Sequence, residues 1–154
     1  MSTIVGIIAD THGLLRPEAS DYLSGSDVII HAGDVGGRTV LDALNTIAPT
    51  FAVRGNTDSG PWTQGLPDKD MIEVAGKWFY ILHMIDDLDL DPAAAGCTAV
   101  IYGHTHRPEH YEKNGVLFFN PGSAGPLRYK TAATLGRILI RNGRLEDEIL
   151  TIIQ

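Results

Sequence analysis

Two aspartates, one asparagine and four histidines of this 154-residue chain fall in five short segments, each at or just after a stretch that reads as a strand. The segments are Asp10-Thr11-His12, Gly33-Asp34, Gly55-Asn56, His83 and Gly103-His104-Thr105-His106. Carboxylate, carboxamide and imidazole are donors that divalent transition metals accept. Seven of them could hold two ions side by side, with one carboxylate shared. Such a pair suits in-line displacement at a phosphate ester, because it stabilises both the attacking and the leaving oxygen.

Each segment has an ordinary reading on its own. Asp10-Thr11-His12 fits an Asx turn, and Gly-Asp and Gly-Asn are common turn dipeptides. His83, after Tyr80-Ile81-Leu82, fits a core histidine. Together they would require four of only six histidines to sit at strand ends by chance. Of the other two, His31 is expected to support the ligands from behind, and His110 to lie on the surface.

The elements that position these residues follow from the hydrophobic pattern. Ile4–Ala9 is a continuous apolar run, the mark of a strand buried on both faces. Pro17 suits the first turn of a short helix reaching Leu23. Val28–Ile30 predicts a second strand. Val40, Leu41, Leu44 and Ile47 keep helical spacing until Pro49 ends it, and Phe51–Val53 predicts a third strand. This β-α-β-α-β order implies parallel pairing with right-handed crossovers. In such sheets functional groups collect beyond the carboxyl ends of the strands. Asp10/His12 and His104/His106 are i, i+2 pairs, which an extended backbone points to one side. Gly33 and Gly55 allow tight turns before Asp34 and Asn56.

Beyond a Gly- and Pro-containing loop at Gly60–Asp68 the pattern changes. Met71–Val74 and Trp78–Leu82 predict a hairpin, Pro92–Ala95 a short helix, and Ala99–Tyr102 a buried strand. Two further hairpins turn at Lys113-Asn114-Gly115 and Asn142-Gly143, Asn-Gly being the strongest short hairpin signal. The C-terminal half is expected to be mostly antiparallel, giving two sheets face to face with helices outside. No repeat or linker divides residues 1–154, so the chain reads as one α/β domain.

Net charge is −7, from 12 basic and 19 acidic side chains, with no Lys/Arg cluster. Extended nucleic acid needs a positive face and is disfavoured. A bound metal pair would reverse the sign locally, since two aspartates and two divalent ions sum to about +2. No apolar run approaches the ~20 residues of a membrane span. The start lacks the basic n-region of a signal peptide, and the single cysteine, Cys97, excludes an internal disulfide. A cytoplasmic protein without a membrane partner is the expectation.

In this order, Asp10-Thr11-His12, Gly33-Asp34, Gly55-Asn56-Thr57-Asp58, His83 and Gly103-His104-Thr105-His106 resemble the motifs of calcineurin-like metallophosphoesterases. The resemblance covers nearly the whole chain. The small size and the trailing Asn120-Pro121-Gly122-Ser123 look like the compact phosphodiesterase branch. This implies a four-layer αββα sandwich of two mixed β-sheets. It implies one metal on Asp10, His12, Asp34 and His106, and a second on Asp34, Asn56, His83 and His104, with Asp34 bridging. Asp34, Asn56, His83 and His104 would then be catalytic as well as ligating. Mn²⁺ is the first expectation, with Fe, Ni²⁺ or Zn²⁺ as alternatives, because mixed N/O ligation suits them better than Ca²⁺ or Mg²⁺. The implied reaction is hydrolysis of a small phosphodiester by a hydroxide bridging the ions. Other relatives are phosphomonoesterases or nucleotide pyrophosphohydrolases. The retromer scaffold subunit is non-catalytic, which would predict damaged ligand positions, and none is damaged here.

The chain departs from the pattern at two positions. Thr57 stands where many members have a histidine that protonates the leaving oxygen, and a hydroxyl is a poor acid near pH 7. Asp58 is then expected to be structural. Met84 stands where relatives commonly have glycine, adding bulk beside the second metal. Arg128 is expected to contact phosphate from a rim loop, and Asp86–Asp91 to be a solvated acidic loop. The Trp78–Tyr80 strand leaves a homo-oligomer open.

Overall fold

The computed structural model describes residues 2–128 and 132–153. Strand β1 (Ser2–Ile8), helix α1 (Pro17–Leu23), β2 (Val28–His31), α2 (Arg38–Ile47) and β3 (Thr50–Ala52) follow the expected alternation. β1 pairs parallel with β2, Ile7 opposite Ile30, and β2 pairs parallel with β3. Side chains alternate across the pleat. Val5, Ile7 and Ile30 enter the core between the sheets, while Ile8 and Ile29 face the helices. α2 buries Val40, Leu41 and Leu44. It ends at Ala48, whose φ of −162° and ψ of 162° are the extended values that Pro49 imposes on its predecessor.

The second sheet is built from β4 (Lys69–Val74), β5 (Lys77–Leu82), β6 (Ala99–Ile101), β7 (Glu109–Lys113) and β8 (Val116–Asn120), in the order β4-β5-β6-β8-β7. β9 (Ala133–Arg141) and β10 (Arg144–Ile153) return to the first sheet, ordered β10-β9-β1-β2-β3. The hairpins turn where expected. Asn114-Gly115 and Asn142-Gly143 both have positive φ, as type I′ turns require.

The largely antiparallel expectation for this half needs one correction. Its edges are antiparallel, but β5, β6 and β8 run parallel at its centre. The segments between them are long enough to cross over. The result is that His83 and Gly103-His104 leave the same edge of the sheet.

Phe79, Ile81, Ile101 and Phe119 meet Val5, Ile7, Ile30 and Ile138 in one buried cluster between the sheets. Each such side chain contributes roughly 1.5–3 kcal/mol relative to exposure. Helices α1 and α2 form one outer layer, so the αββα sandwich stands. The opposite outer layer is thin. Tyr80, Val100, Tyr102 and Phe118 are covered by Ile85, Leu88 and Leu90, on a segment whose only helical turn is a 3-10 turn at Ile85–Asp87. The short helix expected at Pro92–Ala95 is a run of turns instead. Asp91 Oδ1 accepts the Ala93 N–H at 3.1 Å, an Asx turn competing with helix. Among the described residues no helix is long and apolar enough to cross a membrane.

Candidate metal centre

The parallel strands deliver their C-terminal loops to one place. Two clusters form there, Asp10/His12/His106 and Asp34/His83/His104, each with donor atoms within 4.8 Å of one another. In the first, His12 Nε2 lies 3.3 Å from His106 Nε2, which is 3.7 Å from Asp10 Oδ1. In the second, His83 Nε2 lies 3.1 Å from Asp34 Oδ2 and 3.0 Å from Asn56 Oδ1. Asn56 Oδ1 is 3.2 Å from His104 Nδ1. Asp34 Oδ2 is also 3.8 Å from His12 Nε2, so it lies between the clusters. All seven residues singled out by type and spacing come together.

The protons on these groups show what the arrangement is built to receive. His83 Nδ1 donates to the Ala32 carbonyl at 2.8 Å, which leaves a lone pair on Nε2 of the neutral ring. In the neutral ring that lone pair would face two oxygen acceptors, and three acceptors aimed at one point call for a cation, a role that a proton on Nε2 fills in the metal-free protein. Fixing a ring through its other nitrogen is how proteins orient metal-binding histidines. In the other cluster, Asp10 Oδ2 accepts the His104 N–H at 3.0 Å. Asp10 Oδ1 is buried and has no hydrogen-bond partner among the described residues. An unpaired buried carboxylate oxygen is costly, and a divalent ion supplies what it lacks. The donor chemistry therefore fits a metal pair.

The electrostatics agree. Burial pushes the Asp10 carboxyl up to about 7, against the opposing pull of His83. Burial also works against the charge on Asp34. Hydrogen bonds from His83 and Thr57 outweigh it and hold that carboxyl well below its usual range. Burial lowers His12 and takes His106 down to about 4, which keeps both rings in the neutral form that binds metal. For His83, burial opposes the charge, but Asp34, the Ala32 carbonyl and Asp10 raise it above the ordinary value. A proton and a divalent ion thus compete for the same nitrogen.

The backbone differs from expectation. Asp10, His12, Asp34, His104 and His106 have φ of 55°, 47°, 55°, 76° and 63°. These are left-handed values, not the extended ones inferred for the i, i+2 pairs. Asp and His tolerate this region better than most residues, yet each still costs of order 1–2 kcal/mol. His104 and His106 consequently part, one to each cluster. Two glycines make the approach possible. At Gly33, with φ of 100°, a Cβ would lie 2.6 Å from His83 Nδ1. At Gly55 it would lie 2.1 Å from Asp34 Oδ1.

A supporting layer holds the loops. Thr57 donates twice to Asp34 Oδ1, through N at 2.9 Å and Oγ1 at 2.7 Å. Asp58 accepts the N–H groups of Gly55, Val35 and Gly36 at 2.9, 3.1 and 3.0 Å; it staples two loops together. His31 accepts the Gly33 N–H at Nδ1, 3.1 Å away, so its proton is on Nε2, donated to Thr11 Oγ1 at 2.9 Å. Thr11 in turn donates to the Val35 carbonyl at 2.7 Å. Burial drives His31 down to about 3, and the ring stays neutral.

Sequence reasoning missed the specific work of Thr11, Asn120 and Ser123. Asn120 Nδ2 donates to the Gly103 carbonyl at 3.1 Å, and Ser123 Oγ to the Asp10 carbonyl at 3.0 Å. The available signal was a polar residue at the end of a buried strand or three residues beyond it, Asn120 closing β8 and Thr11 and Ser123 following β1 and β8. Arg128 is close enough for its charge to act on Asp10, His12 and His106. On the opposite flank a cavity of about 460 Å³ opens beside Asn56 and His83, with Met84 in its wall.

Comparison with known proteins bears on this geometry. Residues 4–143 match the model of the calcineurin-like phosphoesterase superfamily domain. The chain is 35% identical over 133 residues to a Methanocaldococcus jannaschii protein named "Probable metallophosphoesterase MJ0623", spanning 78% of this chain and 67% of that one. It is 28% identical over 176 residues to phosphodiesterase YfcE of Escherichia coli K12, spanning 94% and 88%. The solved structure of an archaeal phosphodiesterase superposes with a TM-score of 0.80 at 25% identity, covering 97% of this chain and 100% of that one. Vps29 of Entamoeba histolytica complexed with Zn²⁺ gives 0.73 at 22% identity, covering 97% and 99%, a likeness of fold alone.

Proposed function

The chain belongs to the calcineurin-like phosphoesterase superfamily, and from that premise we propose that Asp10, His12, Asp34 and His106 hold one divalent ion and Asp34, Asn56, His83 and His104 a second. The chain is a metal-dependent phosphoester hydrolase, and its named relatives make a phosphodiester the substrate class. The observation that carries the two-ion reading is the orphaned, buried Asp10 Oδ1 beside the lone pairs that converge with His83 Nε2. Nitrogen and oxygen donors in near-equal number favour Mn²⁺, with Fe, Ni²⁺ and Zn²⁺ as alternatives.

When bound, the ions lower the pKa of a water to yield hydroxide near neutral pH and offset the charge that builds on the phosphate. The protein's own residues do the rest. Asp34 presents Oδ2 between the two sets because Thr57 occupies Oδ1. Arg128 adds positive charge on the His12/His106 flank. Thr57 cannot protonate the leaving oxygen, since its hydroxyl proton is already donated to Asp34 and its pKa is far too high. The leaving group therefore departs with little proton assistance, and aryl esters are turned over faster than alkyl esters. The net charge of −7 keeps the substrate small rather than a long nucleic acid. Free, buried Cys97 is compatible with a cytoplasmic setting.

The test compares a bis-aryl with a mono-aryl phosphate in Mn²⁺, followed by a series of diesters of graded leaving-group pKa. Diester preference and a steep fall of kcat/KM with leaving-group pKa are expected. Monoester preference would transfer the chain to the phosphomonoesterases. A flat series, with chemistry rate-limiting, would remove the missing-acid account. Full activity in chelator would remove the metal pair.

A further inference from the structure

The cavity beside Asn56 and His83 adjoins the proposed metal centre without supplying more of its ligands. Its far wall carries Arg54, Asp68, Lys69 and Asp87, and Met84 supplies apolar surface. At about 460 Å³ it falls within the ~300–1,000 Å³ of ligand pockets. Its position gives the centre two unlike flanks. Arg128 acts on the Asp10/His12/His106 side, and the cavity opens on the Asn56/His83 side. A phosphate held at the centre would direct one ester substituent into it.

The charges in the wall define what that substituent is. Arg54 Nε pairs with Asp68 Oδ1 at 3.1 Å. Lys69 Nζ pairs with Asp89 Oδ2 at 3.2 Å and donates to the Asp87 carbonyl at 2.7 Å. Both cations are therefore already matched. The Asp87 side chain is exposed, and the hydrogen bond from Lys69 reaches its backbone carbonyl, not its carboxylate. With Asp58 already satisfied by three backbone N–H groups, the two cations of this wall face the two carboxylates of Asp68 and Asp87, and no net positive charge is left for a second phosphate. A second phosphate would have to displace a carboxylate from Arg54 or Lys69 and would meet Asp87 as a like charge. Hydroxyl groups have no such conflict. They could donate to the carboxylates of Asp68 and Asp87 and accept from the terminal guanidinium nitrogens of Arg54, with their carbon chain against Met84.

We propose that this cavity is the subsite for one ester substituent and that it selects an uncharged polyhydroxy alcohol, such as a glycerol or sugar, over a group bearing a second phosphate. The inference rests on the phosphodiesterase reading and narrows it, because it disfavours nucleotide pyrophosphates and other polyphosphate substrates.

Three 4-nitrophenyl phosphodiesters separate the cases: the methyl, the glyceryl and the 2-phosphoethyl ester, assayed with the Mn²⁺-loaded protein. The glyceryl ester is expected to exceed the methyl ester in kcat/KM by about tenfold, the worth of a hydrogen bond to a charged group. The phosphoethyl ester is expected to fall below the methyl ester. Asp87→Lys should collapse the glyceryl preference and lift the phosphoethyl ester above the methyl ester. Calorimetric binding of methyl phosphate and glyceryl phosphate reads the same preference without turnover. Equal kcat/KM for all three esters, or unchanged ratios in Asp87→Lys, would overturn the subsite and leave the phosphodiesterase intact. No turnover of the methyl ester would overturn the underlying reading and the subsite with it.

Discussion

Asp10 and Asp34 are the two carboxylates of the centre, and the protein treats them in opposite ways. Each gives one oxygen to the protein and turns the other inward. Asp10 gives Oδ2 to a single backbone N–H, that of His104. Its inward oxygen has no hydrogen-bond partner among the described residues, and burial carries the group up to about 7. Asp34 gives Oδ1 to both the N–H and the hydroxyl of Thr57, and His83 stands 3.1 Å from Oδ2. It stays ionised well below its usual range. One half is thus a carboxylate waiting for a cation, the other a carboxylate already charged and aimed. If Asp34 is the shared ligand, as proposed, the carboxylate the protein has prepared is the one whose misplacement would disturb both ions and not one.

Removing the shared ligand should have the largest effect. Asp34→Ala is expected to lose both ions and to lower turnover by more than the ~100-fold that outer partners of a metal reach. Asp10→Ala is expected to lose one ion. Elemental analysis of purified protein gives the count, and circular dichroism verifies the fold. Retention of two ions by Asp34→Ala would end its assignment as the bridge.

A smaller effect should follow from loosening Asp34 without removing it. Thr57→Val keeps the shape and the backbone N–H but deletes the hydroxyl donor. The affinity for Mn²⁺ measured by calorimetry is expected to drop by roughly 10- to 100-fold, and Thr57→Ser to recover most of it. Wild-type affinity in Thr57→Val would reduce Thr57 to a spectator and remove half of the contrast between Asp10 and Asp34.

Legibility from sequence followed the same division between regular and irregular backbone. Ile4–Ala9 and Val28–Ile30 were readable because a strand buried on both faces needs an unbroken apolar run. Their ends located Asp10 and Asp34. The left-handed φ values at Asp10, His12, His104 and His106 had no such signal, since periodicity carries no information once a strand has ended. The parallel centre of the second sheet was hidden for a different reason. The strong Asn-Gly turns advertise antiparallel neighbours, whereas β6 is three residues long and its pairing is set by tertiary packing. Pro92–Ala95 failed as a helix because Asp91 closes an Asx turn that local composition cannot distinguish from an N-cap. Thr57 was legible as a missing acid but not as a brace. That role exists only once the Gly55–Asp58 turn folds over Asp34.

The smallest predicted effect probes the other carboxylate in the metal-free protein. The folded-state pKa of Asp10, about 7, lies above its ordinary 3.8. The folded chain therefore holds a proton that the unfolded chain releases. This contribution to stability is complete below about pH 4 and is lost as pH rises through about 7. Asp10→Asn removes the ionisation. Its amide oxygen can still accept the His104 N–H, and its NH₂ donates toward the lone pairs that Oδ1 faced. At pH 7.5 in chelator the variant should be more stable than the parent by on the order of 1–2 kcal/mol, below the ~4 kcal/mol ceiling that three pKa units allow. That corresponds to a Tm higher by a few degrees. Near pH 4 the advantage should vanish. His31 acts in the opposite direction, since its folded pKa of about 3 withdraws stability as pH falls from about 6.5. It is common to both proteins and cancels when they are compared at each pH. With Mn²⁺ present the order should invert, because the parent then pairs Asp10 Oδ1 and the variant cannot. A metal-free Asp10→Asn no more stable than the parent at pH 7.5 would show that Asp10 is as settled as Asp34, and the contrast between the two halves would fail.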